Sequence, residues 1–292
     1  MTFLVNFLGK ILNGKEVAQK LNLELERKIS VISKKTGIKP KLAGILVGNN
    51  PASELYLKIK RRTCAEIGID SMLVNLKQDI RKEALLNEIE KLNEDKSVHG
   101  IILQLPLPKE LKPFTSEFNE KISPLKDIDG LHPINRGRLF DYNEDLVPCT
   151  PKGIIALLEY YNIEIKGKHA VIINRSNLVG KPLFFMLLKR NATVSICHTS
   201  TVNINNFIKG ADILITAVGQ PNFITKEKIK EGVVIIDVGT NRVDGKTCGD
   251  VDYKGVFGKC SWITPNPGGV GPMTVSFLLQ NTFYTYQNQI KI

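Results

Sequence analysis

The pair Tyr56 and Lys60 has the residue types and the spacing for acid–base chemistry. The two residues lie four positions apart in a segment predicted to be helical, so their side chains share one face. Together they offer a proton donor, a cation and an aromatic ring, and a desolvated lysine can act as a base. Because Lys58, Arg61 and Arg62 are adjacent, a solvated basic helix would show the same pattern.

Gln104 stands at the carboxyl end of the predicted strand HGIILQLP, residues 99–106. Ligands of open α/β sheets bind beyond the carboxyl ends of strands. A buried amide at this point needs a partner, which a ligand or Lys60 could supply. Further along, Asp127 and Asp129 lie in a loop flanked by glycine and proline. An Asx-turn explains these two aspartates as well as the binding of a ring with amino and imino donors does.

The strand KHAVIIN, the loop RSNLVGKP and the helix predicted after them form a possible anion site. Such a connection presents backbone N–H groups at a helix N-terminus. The dinucleotide-binding glycine fingerprint is incomplete, since only Gly180 lies in the loop. Roughly 20 residues on, where NAD-binding folds carry an acidic residue, the chain reads Cys-His-Thr. Arg175 and Ser176 could instead meet a 2′-phosphate, which favours NADP over NAD. An arginine exposed on a turn would look the same.

The segment TPNPGGVGPMT, residues 264–274, combines three prolines with three glycines. Proline restricts the backbone, whereas glycine lets another group approach it closely. The segment is therefore either a rigid connection from a strand to a helix or a loop whose backbone contacts a ligand. The residues alone leave both possibilities open.

Apolar β-branched runs that alternate with helical patterns would position these residues. In the first half, strands are predicted at 41–48, 71–76 and 99–106, and helices at 51–68 and 80–93. In the second half, strands are predicted at 168–174, 192–198, 211–219 and 232–239, and a last helix at 273–289. Continuous apolar strands separated by helices indicate parallel sheets.

This alternation predicts an α/β protein with two α/β domains. The first domain is expected to cover residues 1–148, joined by the C-terminal helix 273–292, and the second to cover 149–272. The irregular stretch 126–151, rich in proline, glycine and aspartate, is the expected crossing between them.

The amino-acid composition limits which class of protein this is and which partners it binds. The chain has 292 residues, 42% of them hydrophobic, and no apolar run long enough to span a membrane. Five cysteines without a C-x-x-C pair fit the reducing cytoplasm, and four histidines show no metal spacing, so no metal is expected. The net charge of +11 comes from scattered lysines and arginines. A lysine-rich composition explains it better than nucleic-acid binding does, and steering of small anionic ligands into a cleft is a third possibility.

Eight ordered motifs carry a resemblance to a known family. They are Tyr56-x-x-x-Lys60, LQLP at 103–106, KDIDG at 126–130, PCTPKG at 148–153, RSNLVGKP at 175–182, DVGTN at 237–241, GDVD at 249–252 and PGGVGPMT at 267–274. Through these motifs the chain resembles the bifunctional methylenetetrahydrofolate dehydrogenase/methenyltetrahydrofolate cyclohydrolase family over nearly its whole length.

The resemblance implies two reactions in an interdomain cleft beside a Rossmann-like NAD(P)-binding domain. NADP⁺ would take hydride from methylenetetrahydrofolate, and water would open the methenyl product to formyltetrahydrofolate. Lys60 would be the acid/base group oriented by Gln104, Tyr56 would stack on the folate, and Asp129 would hold the pterin ring. The implied NADP contacts are Asn174, Arg175, Ser176, Thr199 and Thr240. The further implied folate contacts are Leu105, Pro267, Gly268, Gly269, Val270 and Gly271. A homodimer is also implied.

Three residues depart from the family pattern. Asn174 stands where the family usually has glycine, Thr240 replaces the usual isoleucine, and Asn266 stands where valine is common. The first two bear on cofactor affinity or preference. Short-chain dehydrogenases also use Tyr-x-x-x-Lys, but their nucleotide loop precedes that pair, so this class is excluded. A folate-binding protein without activity is disfavoured by the intact Lys60 and Gln104.

Overall fold

The computed structural model describes residues 9–291. Its strands are β1 Lys10–Ile11, β2 Lys41–Val47, β3 Asp70–Leu76, β4 Gly100–Leu103, β5 His169–Ile173, β6 Thr193–Cys197, β7 Ile213–Thr216, β8 Val234–Asp237, β9 Asn241–Val243, β10 Lys246–Cys248 and β11 Trp262–Ile263. Its helices are α1 Gly14–Thr36, α2 Pro51–Glu66, α3 Lys82–Glu94, α4 Thr115–Lys121, α5 Pro133–Phe140, α6 Cys149–Tyr160, α7 Gly180–Lys189, α8 Ile204–Gly210, α9 Tyr253–Val256 and α10 Val270–Ile290.

The chain divides into two compact units, and the predicted α/β class with parallel sheets is confirmed. The three-stranded unit comprises residues 20–149 and 275–291, and the six-stranded unit comprises 9–19 and 150–274. Residues 9–19 belong to the six-stranded unit, whereas the sequence analysis placed them in the domain expected to cover 1–148. The physical reason is that β1 pairs with β11 in parallel register, Lys10 opposite Trp262.

In the three-stranded unit the sheet order is β3-β2-β4, and both pairs are parallel. In one core cluster of this unit, Ile45 and Ile101 from the strands lie with Leu85 and Ile89 of α3. The predicted strand 99–106 is shorter than expected. Gln104 N–H still donates to Ile45 O, but the proline two residues later has no N–H to continue the ladder.

The predicted crossing at 126–151 contains a helix that the sequence analysis did not identify. Helix α5 begins at Pro133, where the missing N–H costs nothing. His132 caps it, because its Nδ1 accepts from Ile134 N at 3.0 Å. Nearby, the buried Lys126 donates to three carbonyls at the end of α3, those of Leu92, Asn93 and Asp95.

In the six-stranded unit the sheet order is β1-β11-β8-β7-β5-β6, with every neighbouring pair parallel. The central strands β7 and β8 are buried along their whole length, and β5 is buried from its second residue on, as in sheets covered on both faces. A separate antiparallel hairpin joins β9 to β10. Its turn residues Asp244 and Gly245 both have positive φ, the conformation that two-residue hairpins favour. No helix among residues 9–291 is long and apolar enough to cross a membrane.

Candidate functional site

Lys60 and Gln104 meet at the carboxyl edge of the three-stranded sheet. Helix α2 carries Lys60, whose Nζ donates to Gln104 Oε1 at 3.1 Å. The Gln104 amide is oriented by its own Nε2, which donates to Leu105 O at 2.8 Å. The lysine therefore faces a fixed acceptor and is only partly buried. Tyr56 lies one turn earlier on α2, and 44% of its surface is exposed.

The two aspartates of the KDIDG loop have different environments. Asp127 is buried, and its Oδ2 accepts from His132 N at 2.8 Å and from Asn135 Nδ2 at 2.9 Å. It therefore holds the loop and the start of α5. Asp129 is partly exposed, and the hydrogen bond found for its carboxylate within residues 9–291 is a long one from Cys149 Sγ, 4.0 Å. Asp129 is thus the less hydrogen-bonded of the two aspartates.

The electrostatics of Asp129 fit that distinction. Burial of the carboxyl raises its pKa to about 6, an effect that Lys60 partly offsets and the charge of Asp127 reinforces. An ionised Asp129 consequently carries an energetic cost that a hydrogen-bond donor from a ligand would relieve. Lys60, Gln104 and Asp129 form a half-buried polar cluster with a cation, an amide and a carboxyl.

The loop between β5 and α7 brings together three residues predicted to bind the cofactor. Asn174 is half-buried, and Arg175 and Ser176 are exposed. Gly180 opens α7 against this loop, where an added Cβ would lie 2.1 Å from Asn174 O. Only glycine permits this close approach, although the rest of the glycine fingerprint is absent.

Thr199 and Thr240, the other predicted cofactor contacts, follow β6 and β8 and are both exposed. The strands of this sheet are parallel, so both residues lie at the same carboxyl edge as the loop after β5. The edge combines exposed hydroxyls with the Arg175 guanidinium. Such a donor set suits a phosphate-bearing ligand.

Two buried carboxylates, which the sequence analysis noted only inside motifs, organise these loops. The carboxylate of the fully buried Asp250 accepts from Thr216 Oγ1 (3.2 Å), Val218 N (2.7 Å), Gln220 N (3.0 Å) and Asn241 Nδ2 (2.9 Å). Asp237 accepts from Gly239 N, Asp250 N and Val251 N. Burial raises the pKa of Asp237 to about 6. The signal available in the sequence was an aspartate at the end of the apolar strand GVVIIDVG.

The segment 264–274 is held by its own unit. Gly268 has a φ of +106°, and an added Cβ on Gly269 would lie 2.5 Å from Pro265 O. These two glycines therefore meet demands of the turn itself. Asn266 Nδ2 donates to Gly239 O, beside Thr240. Within the predicted folate contacts of this segment, Val270 is buried, whereas Pro267 and Gly271 are exposed.

Comparison with known proteins gives a consistent result. Two family models match: tetrahydrofolate dehydrogenase/cyclohydrolase catalytic domain over residues 12–129, and the NAD(P)-binding domain of the same family over 148–290. The "Bifunctional protein FolD" of Halalkalibacterium halodurans is 49% identical over 272 residues, covering 93% of this chain and 96% of the relative.

Solved structures agree with these matches. The bifunctional enzyme FolD, a methylenetetrahydrofolate dehydrogenase/cyclohydrolase from Campylobacter jejuni, superposes with a TM-score of 0.93 at 46% identity, covering 96% of this chain and 99% of the other. The Trypanosoma brucei enzyme, solved with NADP cofactor and inhibitor, gives a TM-score of 0.92 at 34% identity, covering 97% and 99%.

Proposed function

Because the chain belongs to the tetrahydrofolate dehydrogenase/cyclohydrolase family, we propose that it catalyses both reactions of that family. It oxidises methylenetetrahydrofolate to methenyltetrahydrofolate with NADP⁺, and hydrolyses the product to formyltetrahydrofolate. The observation that carries the proposal is the hydrogen bond from Lys60 Nζ to Gln104 Oε1, in the same unit as the partly exposed Asp129.

The residues of the three-stranded unit have complementary roles in this proposal. Asp129 accepts hydrogen bonds from the amino and imino groups of the pterin ring, and the exposed ring of Tyr56 stacks on the folate. Leu105, whose carbonyl fixes the Gln104 amide, is a further proposed folate contact of this unit.

Lys60 supplies the acid–base chemistry. In the amine form, Nζ takes a proton from the water that adds to the methenyl carbon. The Gln104 oxygen, at hydrogen-bond distance from Nζ, keeps the lysine aimed at that carbon while its protonation state changes.

The donors at the carboxyl edge of the six-stranded sheet fit NADP. When bound, the cofactor supplies a hydride acceptor. Arg175 and Ser176, both exposed in the loop after β5, hold its 2′-phosphate, and the exposed Thr199 and Thr240 offer further hydroxyls. The same loop holds Asn174 in the position where the family usually has glycine.

The test replaces Lys60 with methionine, which keeps the length of the side chain and removes its charge and proton. Oxidation of methylenetetrahydrofolate is followed by absorbance with NADP⁺ and NAD⁺ in parallel, and methenyl hydrolysis separately. We expect Lys60→Met to lower both activities by roughly 10²–10⁴-fold, the usual contribution of general acid–base catalysis. Lys58→Met, an exposed lysine on the same helix, should retain both. Undiminished activities in Lys60→Met would refute the role of Lys60.

We further propose that the protein is a cytoplasmic homodimer. Five cysteines without a disulfide support a reducing compartment. The β9–β10 hairpin is mostly exposed, with Val243 43% accessible, and a lone two-stranded ribbon is marginal in water unless another surface covers it. Light scattering across a dilution series tests the dimer; a monomer mass at every concentration would exclude it.

A further inference from the structure

The side chain of Asn174 makes four hydrogen bonds to its own loop and to the neighbouring strand end. Its Oδ1 accepts from Ser176 N at 2.8 Å, from Ser176 Oγ at 2.7 Å and from Gly180 N at 3.1 Å. Its Nδ2 donates to Ala217 O, just beyond β7, at 2.8 Å. One amide therefore connects the end of β5, the first residue of α7 and the end of β7.

The groups that Asn174 engages are those which an anion would otherwise seek. The first N–H groups of a helix have no partner within the helix, and in nucleotide-binding folds a phosphate often accepts from them. Here a neutral amide oxygen of the chain accepts from Gly180 N–H and from the N–H and O–H of Ser176. The oxygen carries partial negative charge, so it satisfies these donors before any ligand arrives.

The amide also cannot rotate freely. The bond from Nδ2 to Ala217 O determines which end of the amide faces the loop. The loop is strengthened by Ser176 Oγ, which accepts from Val179 N at 3.1 Å while donating to Asn174. Residues 174 and 176 are thereby held on both sides of Arg175, which is exposed.

We propose that Asn174 is a positioning residue for the cofactor: it holds the 174–180 loop, including Ser176, in its binding shape and so presents Arg175 to the 2′-phosphate. The inference rests on the proposed function, in that it assumes NADP as ligand. It differs from the expectation that Asn174 itself contacts the cofactor. With glycine at this position, the three donors would lack that acceptor. The loop would then become ordered only when the ligand binds.

The experiment compares Asn174→Ala with Asn177→Ala. Asn177 lies in the same loop, but its side chain accepts only from the exposed Lys181 Nζ among the described residues. NADP⁺ binding is measured by calorimetry, and amide hydrogen exchange of segment 174–181 is measured without cofactor. For Asn174→Ala we expect about tenfold weaker binding and faster exchange, because binding must then order the loop. Asn177→Ala should match the wild type in both.

Two further readouts separate positioning from a general loss of structure. In Asn174→Ala the KM for NADP⁺ should rise about tenfold with kcat changed less than about twofold, the pattern of lost binding alone. The hydrolysis of methenyltetrahydrofolate, which uses no cofactor, should be unchanged. Asn174→Asp keeps an acceptor oxygen, so its loop exchange should be closer to the wild type than that of Asn174→Ala.

The outcomes distinguish the two proposals. Wild-type protein that does not bind NADP⁺ would overturn the proposed function. If the wild type binds NADP⁺, unchanged affinity and unchanged exchange in Asn174→Ala would overturn the role of Asn174 alone. Equal exchange in Asn174→Asp and Asn174→Ala would also overturn it, because the acceptor oxygen would then be irrelevant.

Discussion

In the three-stranded unit the candidate catalytic side chains are sparsely hydrogen-bonded, whereas in the six-stranded unit the candidate nucleotide loops are bonded to themselves. Lys60 donates to one amide, and the Asp129 carboxylate has one long contact from a thiol within the described residues. By contrast, the buried Asp250 accepts four hydrogen bonds, and the Asn174 oxygen accepts three. The polar groups of the two sites are therefore satisfied to different degrees.

The difference follows from the work that each site does in the proposed function. Proton transfer and ring recognition need side chains whose hydrogen-bonding capacity is still available to a substrate. A cofactor that must be bound and released in every turnover is bound best by loops already in shape, because ordering them on binding costs free energy. In the three-stranded unit the Asp129 carboxyl is partly exposed with one long hydrogen bond, whereas in the six-stranded unit the buried carboxylates of Asp237 and Asp250 accept hydrogen bonds from the loops.

Removing the Asp250 carboxylate should give the largest loss of stability. Asp250→Ala leaves its four donors without their acceptor in a buried site, and we expect unfolding free energy to fall by about 3–5 kcal/mol. Urea denaturation followed by the fluorescence of Trp262, which lies in the same unit, measures it. Asp252→Ala removes only the cap of α9 and should cost about 1 kcal/mol. Equal losses in the two variants would mean that Asp250 does not organise the loops.

Asp129→Asn should stabilise the protein in a pH-dependent way. The folded-state pKa of about 6 lies above the ordinary value of 3.8, so the folded protein holds the proton more tightly than the unfolded chain. The stability linked to Asp129 is therefore full below about pH 4 and lost as the pH rises through 6. At about pH 8 the variant should gain about 1–2 kcal/mol, since one pKa unit is worth ~1.4 kcal/mol and partial exposure weakens the effect.

The gain should disappear at about pH 4, where both side chains are neutral. Folate binding should weaken in the same variant, because a neutral amide replaces the acceptor for the pterin donors. The exposed Asp79→Asn serves as control and should change neither property. If Asp129→Asn were less stable than the wild type at high pH, the ionised Asp129 would be a stabilising group. Asp129 and Asp250 would then no longer differ in their effect on stability.

Asn266→Val should have the smallest effect. It restores the residue common in the family and removes the hydrogen bond from Nδ2 to Gly239 O. Since Asn266 is only partly buried, we expect a loss of about 0.5–1 kcal/mol and a KM for NADP⁺ raised no more than about twofold. Denaturation and cofactor titration measure both, with the exposed Asn205→Val for comparison. A tenfold rise in KM would instead place Asn266 among the loop-positioning residues.

The sequence analysis did not identify α1, which precedes residue 41, where the predicted alternation of strands and helices begins. Strand β1 escaped it for a different reason: the strand is two residues long, and its signal is not local. Its pairing with β11 joins residues more than two hundred positions apart, which no periodicity records. The different roles of Asp127 and Asp129 were not visible in the sequence either. They depend on α5, because Asp127 accepts hydrogen bonds from His132 and Asn135 at the start of that helix.

By itself the sequence determined the α/β class, the parallel strands and the candidate residues Lys60, Gln104 and Arg175, because apolar periodicity and strand-end positions are local properties. The tertiary structure decided which polar groups were already satisfied. It showed Asp250 and Asn174 holding loops, Gly268 and Gly269 serving the turn, and Asp129 with its carboxyl still available. Hydrogen-bond satisfaction depends on groups that only folding brings together, so the residue pattern could suggest these side chains but could not tell a ligand contact from a support.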